Sequence, residues 1–324
     1  MKIRKEAKDL MKLWGGFRAA RVLLTANNFG IFEHLESSKT VKEIAKILNT
    51  DIRATELLLD ALTGLGLVKK SAGLLKRTIS KYKNTALSKH LLVKGQPYYQ
   101  GDILRHAATL WDNWSGLDDA VKTGKPQHRS HDHDAFIRGM HNVASLKAED
   151  VIKAINVKGV KKALDLGGGP GTYAMAMAKK GIAVTLFDSP ETIAIAKNSI
   201  GKSGKELHFI GGDFLSDELG QGYDLVLISQ ILHAYSEREN IHLLEKSEEA
   251  LQAGGRIIIQ EFFIDRTRTS PSQGTLFSIN MLVNTDGGRC YSPSEISQWL
   301  SRTGFCTIKE KLLDDTVLIS AKKT

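Results

Sequence analysis

The sequence predicts an α/β protein in which a doubly wound, seven-stranded and mostly parallel sheet follows a mainly α-helical front domain. After Gly159, short β-branched runs alternate with helical stretches, which is typical of a parallel sheet with helices on both faces. The last two runs are separated only by the turn LDD, so they should pair as an antiparallel hairpin. Before Gly159 the pattern is mainly helical.

The first predicted element is a helical segment from Ala7 to Leu35. Its apolar residues recur at helical spacing and include Leu10, Leu13, Trp14, Phe17 and Leu24. Such a face offers more apolar surface than a monomer usually leaves in water. We therefore expect these front helices to form the interface of a homodimer.

A helix-turn-helix pattern follows. The stretches TVKEIAKILNT and DIRATELLLDALTGLGLVKK predict two helices around a turn at Asn49 and Thr50, and Thr40 with Glu43 suits a capping box. The next stretch, LLKRTISKYKNTALSKHLL, predicts a small hairpin and then a helix. Together these elements predict a winged-helix-like domain at residues 1–100.

The rest of the chain divides into two further parts. Residues 101–157 predict a helical connector, which the polar stretch KTGKPQHRSHDHD interrupts. Residues 158–324 supply the seven predicted strands, in the runs KKALDLG, IAVTLFD, ELHFIGGD, YDLVLIS, GRIIIQEFF, FCTIKEKL and DTVLISAK.

The composition excludes several classes of protein. The chain of 324 residues has two cysteines, too few for a disulfide framework, and no run approaches the ~18 apolar residues of a membrane span. The amino terminus lacks the apolar core of a signal peptide, so a cytoplasmic location without a membrane partner is expected. Within the net charge of +9, residues 1–100 carry a local excess of +11, which suits nucleic acid or a solvated, lysine-rich surface.

The stretch ALDLGGGPGTYAMAMAKKG places a glycine-rich turn between a predicted strand and a predicted helix. Gly167, Gly169 and Gly171 let the backbone approach a ligand closely and point its amides at it. The spacing is GxGxG, and Thr172 stands where a dinucleotide fingerprint has its third glycine. The turn predicts a ligand site, although close packing of strand and helix also accounts for glycine here.

Two acids make the predicted ligand more specific. Asp188 ends the second strand, where its carboxylate can accept both hydroxyls of a ribose, and Asp213 ends the third, where it can accept an adenine amine. Each residue alone also suits a turn or a helix cap. Together, at successive strand ends, they favour a ligand that contains a nucleoside.

The segments LDLGGGPG, FD, GGDF, YDLVLISQILHAYSE and GRIIIQEFF resemble the S-adenosylmethionine (SAM)-dependent O-methyltransferases of the caffeate, acetylserotonin and bacterial polyketide type. The resemblance covers nearly the whole chain. It implies a Rossmann-like class I methyltransferase domain, a winged-helix-like dimerisation domain, a homodimer, SAM as cofactor and a small aromatic or polyketide-like acceptor. It implies that the following residues bind the cofactor: Asp165, Gly167, Gly169, Asp188, Asp213, Phe214 and Ser229.

Two residues near the carboxyl ends of the fourth and fifth strands suit the chemistry of methyl transfer to oxygen. His233 follows the fourth strand and Glu261 ends the fifth, so both should reach one cleft. A phenol-like hydroxyl, with a pKa near ~10, needs a base at neutral pH, and a carboxylate can orient a histidine for that task. The resemblance implies that His233 is this base and Glu261 its acidic partner.

Three further residues are candidates for contact with the acceptor. Phe136 and Met140 resemble positions on the family helix that packs on the acceptor, and this helix lies in the connector 101–157. Cys290 stands where the plant phenolic enzymes carry a second carboxylate, which argues against plant-like phenolic acceptors. The thiol suits either a pocket wall or an inert buried residue.

The tract HRSHDHD clusters metal-binding residue types: His128, His131, Asp132, His133 and Asp134. A structural zinc site needs about four convergent ligands, and this tract is a polar stretch before a helix. We therefore predict a solvated loop and no metal site.

Two alternative functions remain open. The front domain could bind DNA, but its second helix carries Asp51, Glu56 and Asp60, which would repel phosphates, and Arg53 is its lone candidate for a base contact. A nucleic acid partner is therefore not expected. The second domain could instead methylate carbon or use the sulfonium otherwise, because the fold does not determine the acceptor atom. The predicted base favours oxygen.

Overall fold

The computed structural model describes residues 2–71, 80–127, 129–204 and 207–324. The chain forms two compact units, Met1–Ala108 and Thr109–Thr324. The boundary between them lies inside the predicted connector 101–157. The division into 1–100, 101–157 and 158–324 stays a prediction.

The first unit consists mainly of short helices. Its elements are α1 Lys2–Gly15, α2 Phe17–Asn28, α3 Ile31–His34, β1 Lys39–Thr40, α4 Val41–Leu48, α5 Ile52–Gly64, β2 Val68–Ser71, β3 Lys81–Asn84 and α6 Ala86–Leu91. The predicted helical segment 7–35 is interrupted at Gly16 and again at Gly30, where the backbone enters the left-handed region with φ +62°. Only part of it is therefore one continuous helix.

The winged-helix-like arrangement is confirmed. The Thr40 hydroxyl accepts the Glu43 amide at 3.3 Å, and the Glu43 carboxylate accepts the Thr40 amide at 2.7 Å, which is the predicted capping box. Strand β3 pairs antiparallel with both β1 and β2, and α6 follows it as predicted. Residues 72–79, which include part of the predicted hairpin, lie outside the described residues.

The apolar core of the first unit does not include residues of α1. Ile31, Phe32 and Leu59 are among the fully or almost fully buried residues of this core. Leu24 is only 5% exposed, so its prediction as an interface residue is wrong: it packs inside its own chain. Helix α1 buries none of its residues.

The second unit contains the predicted sheet and the helices around it. Helix α7 Gly101–Trp114 crosses the boundary, and the further elements are α8 Leu117–Thr123, α9 His133–Ser145, α10 Ala148–Ile155, β4 Lys162–Leu166, α11 Thr172–Ala178, β5 Ala183–Asp188, α12 Pro190–Ile200, β6 Leu207–Gly211, β7 Tyr223–Ser229, α13 Glu237–Ala250, β8 Leu251–Phe262, α14 Ser272–Asn284, α15 Pro293–Arg302, β9 Phe305–Leu313 and β10 Thr316–Lys323. Among the helices of the described residues, none is long and apolar enough to cross a membrane.

The seven-stranded sheet confirms the predicted class. Its strand order is β6-β5-β4-β7-β8-β10-β9, in which β10 runs antiparallel to both neighbours and the other pairs are parallel. Leu166 lies beside Phe187 on one side and Ile228 on the other, so β4, β5 and β7 end at the same edge. Ligands in open α/β sheets bind at this edge.

Two apolar cores cover the two faces of the sheet. Leu164 and Val226 belong to one core, whereas Ala163 and Leu225 belong to the other. Successive side chains of a strand point to opposite faces, so burial on both sides accounts for the continuous apolar runs in the sequence. The central strands β4 and β7, which end at the carboxyl edge, are thereby packed on both faces.

Candidate functional site

The glycine turn after β4 is shaped by close contacts and by left-handed backbone. A Cβ at Gly167 would lie 2.4 Å from the Ile231 side chain, so this position excludes larger residues. Gly169 has φ +53°, and, apart from the glycine and its two chain neighbours, no atom of the described residues lies within 4 Å of where its Cβ would be. The turn therefore leaves open space beside the main chain at Gly169, which fits a ligand that approaches the main chain closely.

Asp165 packs against the glycine turn at Gly168. It is fully buried on β4, and a Cβ at Gly168 would lie 2.8 Å from its carboxyl group. Neither carboxyl oxygen makes a well-formed hydrogen bond within the described part of the chain. Burial raises the pKa of Asp165 to about 7, and the Ala174 amide offsets this only in part. A buried carboxyl with a raised pKa and little hydrogen bonding is typical of a functional site.

Asp188 lies at the carboxyl end of β5 and is held by backbone amides. Its Oδ2 accepts the Gly169 amide at 2.8 Å, and its Oδ1 accepts the Ser189 amide at 2.7 Å. Burial raises the pKa of this carboxyl, while these hydrogen bonds act in the opposite direction. A carboxylate offers about four acceptor positions, so further capacity remains for the hydroxyls of a ribose.

The other predicted cofactor residues lie along the same edge of the sheet. Asp213 follows β6 and is exposed, and its carboxylate accepts the Leu215 amide at 2.9 Å. Phe214 is buried and packs edge-on against Tyr235, with a centroid distance of 5.6 Å. Ser229 ends β7 and donates to Gln260 at 3.0 Å. The roles of Asp213, Phe214 and Ser229 toward a cofactor stay predictions.

His233 and Glu261 form a close pair. His233 lies in the short 3-10 turn Leu232–Ala234 after β7, and Glu261 lies near the end of β8. The histidine Nδ1 is 2.7 Å from Glu261 Oε2, and the two side chains are only 12% and 4% exposed. The same carboxylate accepts the His233 backbone amide at 3.4 Å. The turn is anchored beside the glycine loop, because Ile231 packs where a Gly167 side chain would be.

Two phenylalanines that the sequence did not single out pack around this histidine. The Phe277 ring of α14 meets the His233 ring edge-on at 4.9 Å and 87°. Phe262 lies 5.8 Å from the same ring and 4.1 Å from Phe277, measured between centroids. In the sequence, these two residues are indicated only by the apolar character of the segment EFF and of α14. That character predicts burial in a core as well as it predicts a place at a site.

Cys290 is buried near this pair. It is 2% exposed, and its backbone amide donates to Ser278 Oγ at 3.1 Å. Burial raises the pKa of the thiol to about 11, and the charge of Glu261 adds to this rise. The thiol is therefore protonated at neutral pH and is a poor nucleophile.

Helix α9 carries the predicted acceptor residues Phe136 and Met140, both partly buried on one face. The prediction of a solvated loop is wrong for His133, which is the first residue of α9 and contacts Thr192 Oγ1 through Nε2 at 3.1 Å. Asp132 caps the helix by accepting the Ala135 amide at 2.9 Å. The sequence missed this end of the helix because its polar composition resembles a loop.

The histidine tract does not gather into a metal site where it is described. His131 is exposed, and His128 lies outside the described residues. Among the residues that the structure describes, no group of three or more His, Cys, Asp or Glu side chains is arranged to hold a metal ion. Asp132 and His133, within the tract, form the N-terminal end of α9.

A separate open cavity of about 620 Å³ lies between α15, β9 and the segment after β8. Its lining residues are Phe263, Ile264, Asp265, Arg266, Pro293, Ser294, Ser297, Gln298, Ser301, Ile308 and Glu310. None of these is a predicted cofactor, catalytic or acceptor residue. We therefore place the candidate site at the glycine turn and the His233 pair, where the convergent polar groups lie.

Two family models match the chain. Residues 109–306 match the O-methyltransferase domain, and residues 11–94 match the O-methyltransferase dimerisation domain. The first match contains the glycine turn, the acidic strand ends and the His233 pair. The second contains the winged-helix-like elements and most of the exposed apolar face of α1.

Relatives and a solved structure agree with these matches. The chain is 30% identical to the 3-hydroxy-5-methyl-1-naphthoate 3-O-methyltransferase of Streptomyces sahachiroi, with 93% of this chain and 90% of that protein covered. It is 31% identical to the acetylserotonin O-methyltransferase of Macaca mulatta, with 90% of each covered. The crystal structure of human N-acetylserotonin methyltransferase in complex with SAM superposes with a TM-score of 0.91 at 29% identity, over 98% of this chain and 97% of that one.

Proposed function

The chain belongs to the SAM-dependent O-methyltransferase family, and we propose that it methylates a hydroxyl group of a small aromatic or polyketide-like acceptor, with His233 as the general base. The observation that carries this proposal is the 2.7 Å pair between His233 Nδ1 and Glu261 Oε2, beside the glycine turn. Methyl transfer to a neutral hydroxyl needs such a base, because the hydroxyl oxygen must lose its proton.

The pair determines which nitrogen of His233 can act. An ionised carboxylate only accepts hydrogen bonds, so Nδ1 carries the hydrogen and donates it to Glu261. Nε2 then holds the lone pair and can take a proton from an acceptor hydroxyl. The negative charge of Glu261 stabilises the imidazolium that forms, as in other carboxylate-oriented histidines.

The cofactor, when bound, supplies a methyl group on a positively charged sulfur. We propose that the open space at Gly169 receives its amino acid end and that Asp188 accepts its ribose hydroxyls. Asp213, Phe214 and Ser229 are proposed contacts along the same edge, and Asp165 packs against the turn. The fit rests on the open space at Gly169 and on the free acceptor capacity of Asp188.

The acceptor class is supported by the surroundings of His233 and by the relatives. Phe262 and Phe277 give the site an aromatic wall, and Phe136 and Met140 are proposed to face the acceptor from α9. Two relatives are named for a hydroxynaphthoate and for acetylserotonin, both of which are hydroxylated aromatic compounds. A planar aromatic alcohol or phenol is therefore the proposed acceptor class.

The alternative functions have weaker support. Asp51 caps α5, Glu56 and Asp60 lie on it, and all three are exposed, so this acidic surface opposes binding of that helix to DNA phosphates. Methylation of carbon would leave the oriented base without a hydroxyl proton to remove. We therefore keep transfer to oxygen as the proposal.

A transfer assay tests the acceptor proposal. The protein is incubated with SAM and either acetylserotonin or 3-hydroxy-5-methyl-1-naphthoate, and mass spectrometry locates the added methyl group. Matched analogues that lack the hydroxyl are the control. We expect a methyl ether from the hydroxylated compounds and no product from the analogues. A methyl group on carbon, or transfer to neither hydroxylated compound, would overturn the proposal.

We further propose a homodimer and a cytoplasmic location. The dimer is supported by the match to the dimerisation domain and by the exposed apolar residues of α1. The location is supported by the cysteine usage, since Cys290 and Cys306 are both free thiols, as is usual in reducing compartments.

A further inference from the structure

Helix α9 spans two of the turns that form the proposed cofactor site. At its start, His133 Nε2 lies 3.1 Å from Thr192 Oγ1, in the first turn of α12. Two turns further along, His141 Nδ1 lies 2.9 Å from Thr172 Oγ1, at the first residue of α11 after the glycine turn. The helix is thus hydrogen-bonded to the turn after β4 and to the turn after β5.

The residues between these contacts share one face of α9. Phe136 and Met140 follow His133 at helical spacings of three and seven, and His141 follows at eight, so all four lie on one side of the helix. Phe136 also packs near the His133 ring, with centroids 6.3 Å apart. The face that carries the proposed acceptor residues is therefore the face that is fixed to the cofactor turns.

The His133 contact leads directly to Asp188. Thr192 is almost fully buried, and its hydroxyl also bonds Ser189 Oγ at 2.8 Å. The Ser189 amide in turn donates to Asp188 Oδ1 at 2.7 Å. His133 is also close enough to Asp188 for its charged form to lower the pKa of that carboxyl. A chain of polar contacts thus runs from α9 to the proposed ribose acceptor.

We propose that His133 is a positioning residue for the cofactor: through Thr192 it holds the turn that carries Asp188 at a fixed place relative to the acceptor face of α9. This inference rests on the proposed cofactor site. His133 itself does not touch the reacting atoms. Its loss should weaken binding of the cofactor and of its demethylated product alike, because both present the same ribose to Asp188.

Calorimetry with SAM and with S-adenosylhomocysteine tests this inference. We expect His133→Ala to weaken both ligands by about three- to tenfold, the usual worth of one hydrogen bond, and to raise the KM for SAM equally. The kcat should stay within about twofold, as for the loss of uniform binding. His133→Gln, which keeps a polar group near the Nε2 position, should restore most of the affinity.

A control and a coupling experiment complete the test. Glu149→Ala removes an exposed side chain from the neighbouring helix α10 and should leave both affinities unchanged. Thr192→Val should weaken the cofactor similarly, and adding His133→Ala to it should cause little further loss, because both act through one contact.

Unchanged affinity in His133→Ala, or equal losses in the alanine and glutamine variants, would overturn the inference. A lowered melting temperature with a fall in kcat alone would do the same, since that pattern indicates a structural role. These binding measurements need no acceptor. They remain decisive even if the transfer assay overturns the proposed acceptor class.

Discussion

His233 Nδ1 lies 2.7 Å from Glu261 Oε2, and the carboxylate that makes this contact is only 4% exposed. A carboxylate so buried is costly unless its hydrogen bonds are satisfied. Glu261 meets that need with the imidazole and with the backbone amides of His233 and Phe262. The orientation of the His233 imidazole, the proposed base, is therefore fixed by contacts within the chain.

Removing the proposed base should affect chemistry far more than binding. We expect His233→Ala to lower kcat by ~10²–10⁴, the usual worth of a positioned base, while the affinity for SAM stays within about threefold. Raising the pH should partly rescue the variant with a phenolic acceptor, because solvent then supplies the phenolate. Turnover measured from pH 7 to pH 10 checks both points.

Glu261→Gln serves as the comparison for that experiment. It removes the orienting charge but keeps the imidazole of the proposed base, so its loss of kcat should be smaller than that of His233→Ala. A His233→Ala variant that transfers methyl at the native rate would show that the acceptor needs no base. Methylation of carbon or of an already ionised group would then be the better supported reaction.

Asp188 is expected to dominate recognition of the ribose. We predict that Asp188→Ala weakens SAM at least tenfold, since hydrogen bonds to a charged acceptor contribute ~1.5–3 kcal/mol each. The variant also frees the Gly169 amide, which Asp188 Oδ2 now accepts at 2.8 Å. Calorimetry measures the effect. Glu191→Ala, an exposed carboxylate in the first turn of α12, is the control and should bind normally. Equal affinity in both variants would remove Asp188 from the site.

The residues that local pattern identified are those at the ends of strands. The glycine turn, Asp188, His233 and Glu261 each follow or end a short apolar run, so their place at one edge of a parallel sheet followed from the alternation of strands and helices. The fold class followed from the same alternation. Each of these features is encoded by a few neighbouring residues in the sequence.

Other parts of the site depend on contacts between distant elements. His133 and Thr192 are 59 positions apart, and nothing local to the histidine tract indicates that α12 would cover it. Phe277 meets His233 only because α14 packs on the turn after β7. Leu24 matched an interface stripe but faces the core, because the break at Gly16 starts a new helix with its own buried face. Helical spacing cannot tell which partner covers an apolar face.

The two cysteines should differ sharply in reactivity. Cys290 is buried and its pKa is raised to about 11, whereas Cys306 is exposed. With a thiol-specific disulfide reagent at pH 8, we expect one thiol per folded chain to react quickly and the second at least about 100-fold more slowly. Denaturation should make both react at similar rates. The variant Cys306→Ser should lack the fast phase, and a fast phase in that variant would contradict the assignment of Cys290 as an inert thiol.

The buried carboxyl of Asp165 predicts a pH-dependent stability. Its pKa is about 7 in the folded chain, above its ordinary value of 3.8, mainly because of burial. Between these values the folded state holds a proton that the unfolded state has lost. This contribution to the free energy of unfolding is therefore complete below about pH 4, falls by up to ~1.4 kcal/mol per pH unit as the pH rises, and levels off above about pH 7.

Asp165→Asn should lack this contribution. We measure the free energy of unfolding of both proteins by chemical denaturation from pH 4.5 to pH 8. The value for Asp165→Asn should rise relative to that of the wild type as the pH rises toward 7. Asp314→Asn is a suitable control, because Asp314 is exposed and its left-handed backbone suits asparagine. Parallel curves for the wild type and Asp165→Asn would show that the carboxyl titrates normally.

Helix α1 carries a stripe of large apolar residues that its own chain leaves open. Leu10 is 62% exposed, Leu13 79% and Trp14 52%, and they follow one another at helical spacing. Phe17, at the start of α2, continues the stripe and is 53% exposed. Leaving such a patch in water is unfavourable, so a second copy of the chain is the expected cover.

Charges placed in this stripe should separate the proposed dimer. We predict that the double variant Leu13→Glu and Trp14→Glu changes the mass found by light scattering at micromolar concentration from twice the chain mass of 35.7 kDa to once that mass. In a dimer, the glutamates introduced on the two chains would repel each other, and the apolar contacts of Leu13 and Trp14 would be lost. The matched control, Lys8→Glu, alters charge on the same helix at an exposed polar position and should leave the dimer intact. A monomeric wild type, or equal dissociation in the control, would show that this stripe is not the interface.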